Sequence, residues 1–234
     1  MAVVRTETMD IKVNGNGAYA FVARPDDAVV RAGVVLIQEW WGLEPHIRDL
    51  AQRLAAEGFV TAVPDLYHGK VATEPDDAQK MVMTLAGNMD RAIAEINGAI
   101  DTLTARPDVQ PKKVGLIGFC VGGRLAYKTA EKSKNLAAVC SFYGAGYDPS
   151  PAEVAAISAP VRAFYGEKDT GVPPAQIDKL RGLFKAGGKD FEAYTYPAGH
   201  AFVNPMHGMG DEASARHAWA TAVAFLKQHL SAAV

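Results

Sequence analysis

Short apolar runs alternate with segments of helical periodicity along most of the chain. Residues 33–38 form a compact apolar run that predicts a buried strand, and residues 44–57 place Ile47, Leu50, Ala51 and Leu54 on one helical face before Gly58 stops the turn. A strand is expected over 59–63, a helix over 92–105 that ends ahead of Pro107, and a strand over 113–118. The last of these reads Val114-Gly115-Leu116-Ile117-Gly118, apolar at every position, as in a strand covered on both faces. Further along come a helix over 125–132, apolar strands over 137–143 and 161–165, a strand rich in aromatic residues over 191–196, and a final helix over 212–229. Ahead of all these, residues 9–23 predict two short strands around Asn14-Gly15-Asn16-Gly17, because alternation flanking an Asn-Gly pair signals a hairpin.

Strand and helix alternating this often predict an α/β protein whose mostly parallel sheet carries helices on both faces and binds ligands at the carboxyl ends of its strands. No internal repeat or linker interrupts the 234 residues, so a single domain over 1–234 is expected, with 67–90 as an irregular, partly helical excursion that supplies a pocket wall. An apolar content of 49% with 21% charged residues excludes a disordered chain, and a net charge of −2 offers no general attraction for nucleic acid or an anionic membrane surface. The apolar runs are far shorter than a membrane span, and the first ten residues lack the apolar stretch of a secretory signal. Two cysteines are too few for a disulfide framework and fit a reducing cytoplasm, where thiols stay free. The expectation is a cytoplasmic protein, monomeric or homodimeric.

The chemistry centres on Gly118-Phe119-Cys120-Val121-Gly122, a G-x-nucleophile-x-G segment between a buried strand and a helix. Such an elbow projects the nucleophile at a helix N-terminus, a position that favours a thiolate. The plainer reading of Cys120 is a buried structural cysteine beside Gly122-Gly123; Cys140, in mid-strand, is read as core. An elbow nucleophile calls for an acid and then a histidine after later strands. Asp169 follows the strand 161–165, with Glu167 competing for the role, and His200 follows the strand 191–196. The oxyanion hole would use the backbone N–H groups of Val121 and Trp40. Glu39, an acid at a strand end beside the nucleophile, is either functional or a solvated carboxylate leading the next helix. Trp41, Tyr67, Tyr143 and Phe202 sit in strand-end loops, where each fits either a pocket wall or the core. The other histidines lack metal-site spacing, and no cofactor or metal is expected.

With these residues in view, the sequence resembles the dienelactone hydrolase (carboxymethylenebutenolidase) family over nearly its whole length. The marks are Gln38-Glu39, Pro64-Asp65-Leu66-Tyr67, Gly118-Phe119-Cys120-Val121-Gly122-Gly123, Tyr143-Gly144, Gly166-x-x-Asp169 and Ala198-Gly199-His200-x-Phe202. The resemblance implies the α/β-hydrolase fold, a triad of Cys120, Asp169 and His200, and a role for Glu39 in holding the resting thiol and helping to deprotonate it. It also implies two arginines that anchor a substrate carboxylate, one in the excursion and one four residues beyond the histidine. Here the second position is Asn204, and the excursion holds only Lys70 and Lys80 as cations. Without bidentate arginine recognition the site suits a neutral or aromatic ester better than an acidic lactone.

The expected function is therefore hydrolysis of a small carboxylic ester or lactone through a thioacyl-enzyme. The competing readings are a true dienelactone hydrolase, a promiscuous arylesterase or phosphotriesterase, a ligand-binding protein on a hydrolase scaffold, and a thiol redox protein.

Overall fold

The computed structural model describes residues 3–13, 16–207 and 209–231. Its eight strands are β1 (Val4–Val13), β2 (Asn16–Pro25), β3 (Gly33–Ile37), β4 (Val60–Pro64), β5 (Val114–Phe119), β6 (Leu136–Phe142), β7 (Val161–Gly166) and β8 (Phe191–Tyr196). They form one sheet in the order β1-β2-β4-β3-β5-β6-β7-β8. Only the β1–β2 and β2–β4 pairings are antiparallel, and the six strands from β4 to β8 run parallel.

Side-chain alternation along the strands builds two cores. Val35 and Ile37 of β3, with Leu116 of β5 and Val139 of β6, face helices α3 (Met89–Ala105) and α4 (Val121–Lys132). Val34 and Leu36, with Ile117, Phe119 and Phe142, face α1 (Pro45–Ala56) and α7 (Glu212–Leu230). Helices on both faces force the central strands to be apolar throughout, and every residue of β3, β4 and β5 is buried.

The excursion contains α2 (Pro75–Ala86). Three features differ from the pattern reading. Helix α4 begins at Val121 rather than near 125, because packing against the sheet overrides the poor helix propensity of Gly122-Gly123. Two short helices, α5 (Pro151–Ala156) and α6 (Pro174–Ala186), join β6, β7 and β8. Both carried readable signals: Ser150 and Glu153 form a reciprocal capping box at α5, and α6 buries Ile177, Leu180 and Phe184 at helical spacing. The hairpin strands are also longer than expected, while Asn14 and Gly15 of the expected turn lie outside the described residues.

Parallel register brings the strand ends together. Ile37 pairs with Gly118, Phe119 with Phe142, Phe142 with Phe164, and Gly166 with Tyr196. The residues just beyond those ends include Glu39, Cys120, Tyr143, Asp169 and His200, so five distant stretches of sequence meet along one edge.

Candidate active site

Cys120 stands between β5 and α4 with φ 55° and ψ −119°, a conformation that L-residues rarely adopt. Its backbone is held there from both sides. The Cys120 N–H donates to the Phe142 carbonyl at 3.0 Å, and the Cys120 carbonyl accepts from the Gly123 N–H at 2.9 Å. Gly122 has to lack a side chain, since a Cβ there would lie 2.5 Å from the Gln38 carbonyl oxygen and 2.6 Å from that of Ile37. This close approach sets the first turn of α4 against the end of β3. As a first-turn amide, Val121 N–H has no intrahelical acceptor.

The His200 ring meets both expected partners. Its Nε2 is 3.2 Å from Cys120 Sγ and its Nδ1 is 2.7 Å from Asp169 Oδ2. Gly166 permits the second contact: a Cβ there would lie 2.5 Å from the carbonyl oxygens of Ala198 and Gly199, so the turn that carries His200 closes over the end of β7. Asp169 is buried, and its Oδ1 accepts the Gly171 N–H at 2.8 Å, whereas Glu167 is exposed. Geometry thus separates the two candidate acids. Burial alone would lower the proton affinity of His200. Hydrogen bonds to Asp169 and Cys120, with the negative charge of both, outweigh it and hold the imidazolium up to about 10.

Glu39 is buried, yet its contacts lie away from the sulfur. Tyr143 Oη donates to Oε1 at 2.9 Å and Asn204 Nδ2 donates to Oε2 at 2.6 Å. The resemblance implied that Glu39 holds the resting thiol; here Cys120 Sγ instead faces His200. Burial raises the Glu39 pKa, and the charge of Glu44 adds to that, against the hydrogen bonds from Asn204 and Tyr143 and the charge of His200.

The expected pocket wall divides. Trp40 is half-buried, but Trp41 is buried and stacks on His207 with ring centres 3.8 Å apart. Phe202 is buried between Tyr143 and Tyr196. Tyr143 is buried too, and T-shaped against His200 at 5.1 Å. Trp41, Tyr143, Phe202 and Asn204 are thus buried, each held by packing or hydrogen bonds among the strand-end loops. Tyr67 differs from them: its hydroxyl is buried without a partner among the described residues, and burial followed by the charge of Cys120 raises its pKa. Tyr67 also lines a cavity of about 360 Å³ that Lys70, Lys80 and Arg91 reach.

Pattern reading missed the support beneath these groups. Asp65 accepts from Tyr19 Oη at 2.6 Å and from the N–H of Tyr67 at 3.0 Å, and Gln38 Oε1 accepts the Leu66 N–H at 3.2 Å. It also missed Glu44 and His207, whose Oε2 and Nε2 lie 3.0 Å apart. The Glu44–His207 pair has no local spacing signal, since 163 positions separate the two. Among the described residues no group of acids, histidines and cysteines is arranged to hold a metal ion, and no helix is long and apolar enough to cross a membrane.

Comparison with known proteins agrees with this architecture. Residues 18–230 match the model of the dienelactone hydrolase family. The chain is 34% identical to Protein usf of Aquifex pyrophilus, with 96% of this chain and 99% of that protein covered. It is 31% identical to a protein of Aquifex aeolicus strain VF5 provisionally named a carboxymethylenebutenolidase, over the same shares of the two chains. The crystal structure of a dienelactone hydrolase-like promiscuous phosphotriesterase from metagenomic libraries superposes with a TM-score of 0.89 at 22% identity, covering 99% of this chain and 100% of that one, and shares the fold. A match running from β2 to the end of α7, carried by relatives of nearly equal length, assigns the chain to the dienelactone hydrolase family, as a hydrolase of the α/β-hydrolase fold.

Proposed function

We propose that this hydrolase cleaves carboxylic esters or lactones through a thioacyl-enzyme formed on Cys120. The observation that carries the reading is the line from Cys120 Sγ to His200 Nε2 at 3.2 Å and from His200 Nδ1 to Asp169 Oδ2 at 2.7 Å. His200 already holds the proton as an imidazolium, and the sulfur attacks the carbonyl carbon as the thiolate. The carbonyl oxygen, now an oxyanion, is stabilised by the N–H groups of Val121 and Trp40. Collapse expels the alkoxide, which leaves with the proton from His200. Water then gives a proton to the same nitrogen and attacks the thioacyl carbon, and collapse releases the acid and frees the sulfur beside the protonated ring. Asp169 keeps the imidazole in the required tautomer throughout.

The preference for neutral or aromatic esters is supported by Asn204, which is 1% exposed and committed to Glu39 and Glu44 rather than to a substrate carboxylate. The unpartnered Tyr67 hydroxyl and the half-buried Trp40 are the groups left to meet such a substrate. A specific observation favours the acidic alternative: Lys70, Lys80 and Arg91 line one cavity with Tyr67.

The test runs p-nitrophenyl acetate, an anionic dienelactone and a neutral aryl phosphotriester against wild type and Cys120→Ala in parallel. The proposal expects a burst on the neutral ester that is lost in the variant. Preference for the dienelactone transfers the specificity to the lysine and arginine cavity. Full activity of Cys120→Ala overturns the thioacyl route.

A further inference from the structure

Beside the triad lies a second row of polar groups that the reaction above does not use. Glu39 and Glu44 are 1% and 3% exposed, and one neutral amide joins them. Asn204 Nδ2 donates to Glu39 Oε2 at 2.6 Å and to Glu44 Oε1 at 3.3 Å, while its Oδ1 accepts the Met206 N–H at 2.9 Å. Both amide hydrogens and the amide oxygen are thereby committed, which fixes the orientation of the bridge. The row continues from Glu44 Oε2 to His207 Nε2 at 3.0 Å, and the His207 ring is held parallel to Trp41, 11° from coplanar.

Two carboxylates sealed from water and linked through a neutral amide resist ionising together, because each loses hydration and each repels the other. Relief has to come from a cation in the row, and His207 is the group that contacts Glu44. The neighbours on other elements do not supply it. Tyr143, at the end of β6, is held neutral by burial and by the charge of Glu39. His46, on α1, senses His207 but is pushed down to about 4, chiefly by burial, then by Arg53 and His207. His200 already faces Cys120 and Asp169.

We infer that Glu44 and His207 are positioning residues that set the proton on Glu39, with Asn204 as the link. With His207 neutral, the Glu44 charge keeps the proton on Glu39; when His207 binds a proton, Glu44 is neutralised and Glu39 gives its own up, so the two sites exchange one proton between them. The inference goes beyond the reaction proposed above, and it concerns residues that do not touch substrate.

Infrared spectroscopy of the intact protein reads the proton without reference to turnover. Wild type is expected to show the carbonyl stretch of a buried carboxylic acid at neutral pH, and Glu39→Gln is expected to lack it. In Glu44→Gln the band should titrate away at lower pH than in wild type, by about one pH unit or more for loss of a buried like charge. In His207→Gln it should persist to higher pH. Opposite shifts are what a merely structural role would not produce, and thermal melts of each variant establish that it is folded. His207, partly exposed, remains an informative variant should Glu44→Gln fail to fold. The inference is overturned if the band is missing from wild type, survives in Glu39→Gln, or moves in the same direction or not at all in the two variants. Ester hydrolysis by the same proteins separates the layers: opposite band shifts with an unimpaired Glu39→Gln enzyme uphold the proton device and remove Glu39 from the chemistry.

Discussion

Two imidazole–carboxylate pairs stand at the same edge of the sheet, His200 with Asp169 at 2.7 Å and His207 with Glu44 at 3.0 Å. Both acids are buried, and the imidazoles are similarly accessible, at 31% and 22%. Burial and pairing therefore do not distinguish them. The difference is in what else each ring touches: His200 turns its second nitrogen to a sulfur on a strained elbow, whereas His207 lays its face on Trp41. A carboxylate beside a histidine becomes acid–base machinery only where the remaining nitrogen can reach a reacting atom. Elsewhere the same pair is a charge reservoir for its neighbours.

The largest expected effect tests that distinction directly. Cys120→Ala should lower kcat for p-nitrophenyl acetate by about 10⁴-fold or more, as removal of a triad nucleophile does, while Cys140→Ala, buried within β6, should leave the rate within about twofold. Comparable losses in the two variants would mean that thiol position has no bearing on the activity. Next in size is Asp169→Asn, which keeps the shape but favours the wrong tautomer of His200; a loss on the order of 10³-fold in kcat/KM is expected. The matching change in the other pair, Glu44→Gln, should cost no more than about tenfold, because Glu44 acts through Asn204. Equal losses from the two acids would erase the contrast between the pairs.

That contrast was only half legible in the sequence. The strand–elbow–helix context of Gly118 to Gly122 and the chain order of Cys120, Asp169 and His200 carry the triad candidates, because the α/β architecture places successive strand ends on one edge. Glu39 was legible as an oddity, a carboxylate where burial is expensive. Its partners were not, since Glu44 falls at the first position of the expected helix 44–57 and His207 has no spacing that marks it, and their meeting depends on how the stretch after β8 folds back over α1. The aromatic residues show a second limit: Trp41, Tyr143 and Phe202 fit either a pocket wall or the core, and side-chain direction, which periodicity does not encode beyond a strand's end, leaves them buried.

A smaller effect is expected where the elbow meets β3. Gly122→Ala would push a methyl group against the Gln38 and Ile37 carbonyls, and the first turn of α4 has to shift. Stopped-flow acylation slowed by about 10²-fold, the size of a lost oxyanion donor, would locate that donor at Val121. An unaltered acylation rate would detach the oxyanion site from the elbow. Glu39→Gln should be milder still, about tenfold in acylation with little change in Tm, because the amide preserves the shape and can hydrogen-bond to Tyr143. Full wild-type acylation would confine Glu39 to a structural role.

The subtlest effect is on stability. The His200 pKa rises from 6.5 to about 10 in the folded protein, so its protonated form is favoured by folding. A raised pKa contributes stability that is complete below the unfolded value, near 6.5, and fades as pH climbs through about 10. Calorimetric Tm values for wild type and His200→Gln should therefore be furthest apart below pH 6.5 and converge toward pH 10. Because the rise depends on the two groups flanking the ring, the same convergence should shrink when Cys120→Ala is the background, where one of them is gone. A Tm difference that stays constant with pH in both backgrounds would mean that His200 carries no extra proton in the fold, and its contact with Cys120 would then be the whole of what sets the first pair apart.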